Sequence, residues 1–449
     1  MKKNLLIRSA AFILAATTLA GCNIVIDDES TSQREYTGDE TIINISVYKA
    51  GYGQAWMDEA CRIYEEAHPE YRFKIRANSR MFDTVKTELT TDHCEADVVL
   101  VAGYDYLNLA TTGKLAELSD LYDTAIPDTG KKVKEVVDQE QYNFRKVGEN
   151  KERIYGLPWQ DSGACGIVYN KKIFRENNIE VPTTMDEFFT VCDTLSAKGI
   201  TPLVYGGGQQ DAYSSLFVPQ WISQYYGFTY MHDTFEKYAS PEIYNFTMEG
   251  RIKSYETLAR LFKGTDPNGK PYALTGSKAF TAQSAQKEFI FGNAAMDICG
   301  SWFRTEMSTL LKETPDFEFG YMALPHINAD KKDYTGTDSS LVTYGLESNI
   351  FAVPQTSTHQ DVAKDFLVSM LTKESYTTYI PNCCGVGRPF AIDADESQID
   401  EYCLGTYLPA NASKKAGLLI SEVPSAPIAY NGYLSVANCS GTDYYASMI

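Results

Sequence analysis

The stretch from Ile154 to Lys198 constrains the fold more than any other part of the sequence, because it sets several local signals in a fixed order. Pro158 has no backbone N–H to donate to a sheet and favours extended geometry at Leu157, so a strand can end there and change direction. A short apolar strand follows. Thr184 to Glu187 then forms a capping box, which predicts a helix that ends at Gly199. This order predicts that a strand from one half of the protein ends here and that the chain then changes direction and crosses to the other half.

The chain before this stretch alternates strands with helices. Ile42 to Tyr48 and Asp97 to Val101 are predicted strands, with a further strand near Phe73 to Ile75 and an amphipathic helix between consecutive strands. This order predicts a doubly wound α/β sheet, whose ligands lie beyond the carboxyl ends of its strands. Those ends fall at residues 48–52 and 103–105.

Three blocks of sequence carry a resemblance to a known family. The first holds Leu157-Pro158-Trp159, then Tyr169-Asn170-Lys171, and then the segment from Pro182 to Phe188. The second runs from Ala96 to Leu100, with Gly113-Lys114-Leu115 downstream, and the third runs from Phe291 to Trp302. In this order, over roughly residues 40 to 375, the blocks resemble the extracellular solute-binding proteins of the ABC-transporter sugar class, the group that includes maltose-binding protein.

The resemblance implies an α/β fold of the type II periplasmic-binding-protein kind. Each of two lobes would be a sheet flanked by helices, joined by a hinge of crossing segments, and the lobes would close on a ligand. The expected first lobe comprises 41–157 and a return at 301–354, and the expected second lobe comprises 158–300 and 355–449. The chain ends without the long closing helix usual in the family, so we expect a shortened second lobe.

The first 40 residues indicate a signal for export, a site for a lipid anchor and a connecting segment. An apolar run from Ala10 to Ala20 follows three basic residues and is too short to span a bilayer as a mature helix, which predicts a signal peptide at 1–21. Leu19-Ala20-Gly21-Cys22 resembles a bacterial lipobox, so Cys22 would be lipidated and hold the protein on the outer face of the cytoplasmic membrane. A plain secretory signal with an unrelated cysteine is the alternative. Polar residues at 22–40 predict a flexible tether.

Charge excludes some classes of partner. Without the signal peptide, 37 basic residues face 59 acidic ones, a net charge of −22. Such a surface repels phosphate backbones and anionic lipid, so we expect no nucleic-acid partner and no membrane contact beyond the anchor. The five histidines lie far apart, and we expect no metal and no cofactor. We expect a monomer.

Cysteine usage indicates mostly free thiols. The sequence has 10 cysteines, and the nine that remain besides Cys22 cannot all pair with one another. None of them has Cys-x-x-Cys spacing, and several lie in apolar runs, where cysteine packs as a small hydrophobe. The adjacent Cys383 and Cys384 are either a redox or metal element or buried packing in a loop.

Aromatic residues are abundant, with 31 Tyr, 21 Phe and 4 Trp. A sugar presents apolar C–H faces and a rim of hydroxyls, so its receptor needs aromatic rings together with carboxylate, amide or guanidinium groups. Trp302 matches the position of a stacking aromatic in the family, although each candidate also has a structural explanation. The resemblance places ligand contacts at Tyr48, Tyr52, Tyr104, Asp105, Trp159, Asp161 and Trp302. Further candidates are Tyr213 and Trp221 in an aromatic region of the second lobe, and Arg388 in a glycine-containing turn expected near the cleft.

These features predict a binding protein without catalytic residues. We expect it to capture a carbohydrate, most simply an oligosaccharide, and to deliver it to the transmembrane subunits of an ABC permease. One alternative is a glycoside-active enzyme that uses two carboxylates such as Asp105 and Asp161, which requires a defined separation and split pKa values. Another is a ligand-sensing partner of a membrane receptor, because a fold does not fix its use.

Overall fold

The computed structural model describes residues 28–31, 37–49, 51–159, 165–208, 217–226, 249–327 and 349–415. Within these ranges no helix is long and apolar enough to cross a membrane. The strands are β1 (Asp28–Thr31), β2 (Thr41–Tyr48), β3 (Tyr71–Asn78), β4 (Val98–Val101), β5 (Leu157–Pro158), β6 (Cys165–Asn170), β7 (Leu203–Val204), β8 (Met296–Gly300), β9 (Phe319–Ala323) and β10 (Ile350–Ala352).

The helices fall between these strands and after them. They are α1 (Ala55–Ala67), α2 (Met81–Thr90), α3 (Gly103–Thr111), α4 (Val133–Val136), α5 (Gln139–Phe144), α6 (Lys171–Glu176), α7 (Met185–Ala197), α8 (Phe217–Tyr226), α9 (Glu249–Lys263), α10 (Ala282–Ile290), α11 (Phe303–Glu306), α12 (Ser308–Glu313), α13 (Gln360–Ser369), α14 (Lys373–Asn382) and α15 (Glu401–Lys415).

The first lobe is built on a six-stranded sheet in the order β1-β3-β2-β4-β10-β5. The central β2 runs parallel to β3 and β4, and β10 runs antiparallel to β4 and β5. Val98 and Leu100 of β4 pack into one buried cluster, while Val99 and Val101 pack into another with residues of α2 and α3. Helices thus cover both faces, which explains why β4 is apolar throughout.

The second lobe is built on a four-stranded sheet in the order β7-β8-β6-β9. β5 lies in the first sheet and β6 in the second, so the crossing predicted from the sequence around Pro158 is present. The predicted capping box also forms: the Thr184 hydroxyl accepts from the Glu187 N–H at 3.2 Å, and the Glu187 carboxylate accepts from the Thr184 N–H at 3.2 Å.

Two of the expected lobe boundaries differ from the structure. The first-lobe return was expected at 301–354, but β9 pairs with β6 in the second sheet, and only β10 from that range joins the first. Helix α13 was expected in the second lobe, yet Phe366 packs on Phe73 of β3 with ring centroids 4.6 Å apart. Short apolar segments of either lobe look alike in sequence, because each is buried by helices on its own sheet.

The predicted flexible tether at 22–40 is wrong for four of its residues. Asp28 to Thr31 form β1, which pairs antiparallel with β3 at the edge of the first sheet. The polar composition of this segment concealed the strand, because an edge strand has few apolar side chains to identify it.

The cysteines within the described ranges are free thiols, which agrees with the prediction. Both Cys383 and Cys384 are buried, which favours the packing explanation for this pair. The same part of the chain contains no group of three or more His, Cys, Asp or Glu residues arranged to hold a metal ion. The free thiols are Cys61, Cys94, Cys165, Cys192, Cys299, Cys383, Cys384 and Cys403.

Candidate functional site

Trp302 lies where the two lobes meet. It follows β8 of the second lobe directly, and its ring lies between Gly300 of its own lobe and Gly51 of the loop after β2 in the first lobe. A Cβ atom at Gly51 would stand 2.7 Å from Trp302 Cδ1 and Cγ, so only glycine permits this approach. The ring is only 8% exposed. The aromatic residue predicted to stack on a ligand is therefore covered by the opposite lobe.

Tyr52 completes this contact from the first lobe. Its ring stands edge-on to Trp302, with centroids 5.7 Å apart. Burial raises the pKa of Tyr52 well above its ordinary value, with smaller contributions from Cys383, Cys384 and Tyr321 among its neighbours. The Tyr52 hydroxyl therefore keeps its proton and can serve as a hydrogen-bond donor at the boundary of the lobes.

Tyr48 and Tyr104 form a second aromatic group on the first lobe. Tyr48 ends β2, and its ring stacks on Phe82 of α2 with centroids 4.2 Å apart and planes 9° apart. Tyr104 begins α3 beyond β4 and is 62% exposed. Burial raises the pKa of Tyr48, and the neighbouring Tyr104 and Glu306 raise it further. Tyr48 of the first lobe thus lies near both Tyr104 and a carboxylate of the second lobe.

Glu306 was not predicted from the sequence. It ends α11, and its N–H donates to the Trp302 carbonyl at 3.0 Å, one helical turn back. Gln286 of α10 fixes its carboxylate, because the Gln286 amide donates to Glu306 Oε2 at 2.7 Å and to Cys299 Sγ at 3.1 Å. The spacing of four residues from Trp302 is the signal that would have identified it, since residues so spaced share one helix face.

Asp297 is a buried carboxyl group near Glu306. It lies in β8 and is 1% exposed, and within the described ranges neither carboxyl oxygen has a hydrogen-bond partner. Burial raises its pKa well above the ordinary value, and the negative charge of Glu306 raises it further. The backbone N–H of Ile298 opposes this rise without making a full hydrogen bond. We infer that Asp297 is held as a neutral carboxylic acid.

Asp105 also lies at this end of the first lobe, on α3 next to Tyr104. Its carboxylate is paired with Lys86, with Nζ and Oδ1 2.6 Å apart. A carboxylate held by a lysine retains a fixed position and can still accept hydrogen bonds from hydroxyl groups. Asp161, its partner in the enzyme alternative, and the candidate Tyr213 lie outside the described residues.

Three predicted contacts lie in cores instead. Trp159 is 1% exposed and packs against Phe351 at 4.9 Å, and Arg388 is 1% exposed with its guanidinium 4.5 Å from the Trp159 ring. Trp221 is fully buried in the second lobe, where its Nε1 donates to the Pro325 carbonyl at 3.2 Å. The structure therefore places Tyr48, Tyr52, Tyr104 and Trp302 towards the boundary of the lobes, whereas Trp159, Arg388 and Trp221 lie within cores.

Replacing Gly51 with alanine tests the contact between the lobes. The added methyl group would overlap the Trp302 ring, and overpacking of this kind costs about 1–3 kcal/mol. We expect the lobes to separate more often, so that the radius of gyration measured by small-angle X-ray scattering rises and affinity for a ligand held between the lobes falls about tenfold.

Gly387→Ala is the matched control. A Cβ at Gly387 would meet only the Tyr376 hydroxyl, at 3.7 Å, an ordinary contact. This variant should scatter like the original protein. Equal radii of gyration for Gly51→Ala and Gly387→Ala would show that the Gly51–Trp302 contact does not hold the lobes together.

A known protein family matches a continuous part of the chain that includes both lobes. A family model described as "Bacterial extracellular solute-binding protein" matches residues 48–377. This range runs from Tyr48, at the end of β2, to Thr377 in α14, so it includes strands of both sheets. The match covers well over half of the chain.

Relatives of similar sequence carry names that refer to sugars. The "Multiple sugar-binding protein" of Streptococcus mutans is 24% identical over 234 residues, which is 51% of this chain and 50% of that protein. The "Diacetylchitobiose binding protein NgcE" of Streptomyces coelicolor is 20% identical over 338 residues, which is 75% of this chain and 67% of that protein. The match to the first of these relatives thus spans about half of its length.

Solved structures share the overall architecture. The structure "SBP RafE in complex with raffinose" aligns with a TM-score of 0.60 at 17% identity, over 90% of this chain and 96% of that one. At this level of identity the likeness establishes the fold alone. The predicted two-lobed α/β architecture is confirmed.

Proposed function

The chain belongs to the bacterial extracellular solute-binding protein family, and from this premise we propose that it captures a carbohydrate, most simply an oligosaccharide, between its two lobes. Members of this family bind substrates rather than transform them. The resemblance identified from the sequence is thereby confirmed at the level of the family. The carbohydrate, its length and the identity of the partners are our proposals.

One observation carries the proposal: aromatic rings and polar groups from both lobes converge at the boundary. Tyr48 and Tyr52 come from the first lobe, and Trp302 and Glu306 come from the second. Aromatic rings pack against the C–H faces of a sugar, while hydroxyl and carboxylate groups bind its rim. A ligand that contacts both lobes favours the closed arrangement by the contacts it gains there.

Relatives support the choice of ligand class. One relative is named for diacetylchitobiose and another for multiple sugars, and the RafE structure contains raffinose. These ligands are all carbohydrates, although they differ in sugar type and linkage. We therefore propose an oligosaccharide for this chain without choosing among them.

Delivery and location complete the proposal. We propose that the protein is lipidated at Cys22, lies on the outer face of the cytoplasmic membrane as a monomer, and passes its ligand to an ABC permease. The lipobox-like Leu19 to Cys22 supports the anchor. The net charge of −22 without the signal peptide supports a folded body that makes no further contact with anionic lipid.

The test is thermal unfolding of the protein without its signal peptide and lipid anchor, in the presence of raffinose, of diacetylchitobiose and then of other oligosaccharides. A ligand that binds the folded state raises the melting temperature with its concentration. We expect such a shift, with the sugar recovered unchanged by product analysis. Cleavage of the sugar would support the enzyme alternative instead, and no shift with any carbohydrate would contradict the proposed ligand class.

Trp302→Ala gives the proposal a residue-level test. Loss of an aromatic surface should weaken binding of the identified sugar about tenfold, because stacking contributes about 1 kcal/mol or more. Trp302→Phe keeps an aromatic ring and should retain more affinity. Titration calorimetry at fixed pH measures both, and an unchanged affinity in Trp302→Ala would place the sugar elsewhere.

A further inference from the structure

We propose that β1 fixes the direction in which the lipid anchor leaves the protein, so that the end of the first lobe that carries Tyr48 and Tyr104 faces the membrane. This end of the lobe would face the outer bilayer surface and the permease embedded in it, held near them by the lipid anchor alone. This inference rests on the proposed anchor at Cys22, and it assigns a role to a segment that composition alone predicted to be a flexible tether.

The register of the sheet gives the direction. β1 is antiparallel to β3, with Asp28 opposite Ala77 and Thr31 opposite Lys74. β2 is parallel to β3, and its last residue, Tyr48, is opposite Asn78. Asp28 therefore lies at the same end of the sheet as Tyr48, the end from which the candidate site is built. The chain before Asp28, which leads back to Cys22, leaves the lobe at that end.

The length of chain before β1 limits how far the lobe can be from the membrane. Only residues 23–27 separate Cys22 from Asp28. Fully extended, this connection spans about 20 Å. Were β1 unpaired, the free segment would continue to Thr41 and could extend to about 60 Å. Pairing of four residues thus shortens the maximum reach about threefold.

The pairing itself has a physical basis. β3 would otherwise be the edge of the sheet, with unpaired N–H and C=O groups, and β1 supplies partners for residues 74–77.

The location of β1 has a consequence for transport. β1 is at one edge of the sheet, and β5, from which the chain crosses to the second lobe, is at the other. The anchor therefore restrains the first lobe and leaves the second lobe free to move about the hinge. A lobe held near the bilayer in one orientation raises the effective concentration of its ligand site at a permease in the same membrane.

Cross-linking tests the pairing in the membrane-anchored protein. T31C with K74C joins two residues that are opposite in the register, so oxidation should form a disulfide. E29C with K74C is the mismatched control, because Glu29 is opposite Arg76 and lies two positions away. Selective cross-linking of the first pair supports the proposal. Equal cross-linking of both pairs, or of neither, overturns it.

Energy transfer to labelled phosphatidylcholine vesicles tests the orientation. One protein carries a fluorescent label at Ser79, just after β3, and a matched protein carries it at Glu70, just before β3. β3 is about 26 Å long, so the proposal predicts clearly stronger transfer from position 79 than from position 70. Equal transfer, or stronger transfer from position 70, overturns the orientation.

Replacing residues 28–31 with Gly-Ser-Gly-Ser removes the strand at constant chain length. The difference in energy transfer between labels at positions 79 and 70 should then shrink. Carbohydrate binding, measured with the protein without its lipid anchor, should stay unchanged. A difference that persists overturns the role of β1. A chain that stays off the vesicles overturns the anchor and this inference with it, but not carbohydrate binding, which the thermal test measures without a membrane.

Discussion

Replacing Arg388 with alanine is expected to lower the free energy of unfolding by about 3–5 kcal/mol, the range for large-to-small changes in a packed core. The Arg388 guanidinium is fully buried, and the rings of Tyr376, Trp159 and Tyr379 lie 4.2, 4.5 and 4.8 Å from it. Its Nη1 also donates to the Met370 carbonyl at 2.6 Å. Chemical denaturation at neutral pH would measure the loss.

Arg388 stays positively charged although it is buried. Burial lowers the pKa of Arg388 to about 10, while Tyr376 and Tyr379 oppose the change, so the side chain is still cationic at neutral pH. Each aromatic ring then attracts it through its negative face. Alanine would remove these attractions together with the packing, and it would leave a cavity among three large rings.

Arg260→Ala is the matched control for this prediction. Arg260 is exposed on α9, where its guanidinium lies 3.8 Å from the ring of Phe189 and also forms a hydrogen bond with Tyr272. An exposed contact of this kind is worth about 0.5–1 kcal/mol. A loss in Arg388→Ala no larger than that in Arg260→Ala would contradict a structural role. Retained stability with lost sugar binding would restore Arg388 as a ligand contact.

Local signals in the sequence identified the parts of the fold that depend on near neighbours. The capping box at Thr184 and the end of the strand at Pro158 depend on a few adjacent residues, and both are present in the structure. The position of Tyr48 at the carboxyl end of β2 was also predicted from the local run of apolar residues that ends there. These features needed no knowledge of distant contacts.

Features that depend on distant contacts were not predictable in the same way. Trp159 and Arg388 are 229 positions apart yet share one buried cluster, so burial rather than residue type decides their role. Glu306 was missed because its place beside Tyr48 depends on the meeting of two lobes. β9 was assigned to the first lobe because an apolar strand does not record which sheet it joins.

Asp297→Asn is expected to make stability less dependent on pH. In the folded chain burial, and secondly Glu306, raises the pKa of Asp297 well above 3.8, whereas in the unfolded chain the group ionises near its ordinary value. Above that value the folded state holds one more proton than the unfolded state, so stability falls by about 1.4 kcal/mol per pH unit while the difference lasts. The original protein should therefore lose stability as the pH rises from 5 toward 7.

The asparagine variant removes that proton difference and keeps a polar side chain of the same shape. Cys299 lies two residues along β8 on the same face and accepts a hydrogen bond from the Gln286 amide. Gln286 Oε1 has no hydrogen-bond partner in the part of the chain that the structure describes, so an amide at position 297 meets a polar neighbourhood. We therefore expect the variant to gain stability over the original protein as pH rises from 5 to 7, measured by denaturation at each pH. At about pH 3, below the ordinary value of 3.8, the gain should vanish, since both states of the original protein are then largely protonated. If the free energy of unfolding depends on pH in the same way in the variant and in the original protein, Asp297 is ionised in the folded protein. Gln286 would then hold Glu306 beside a second buried charge.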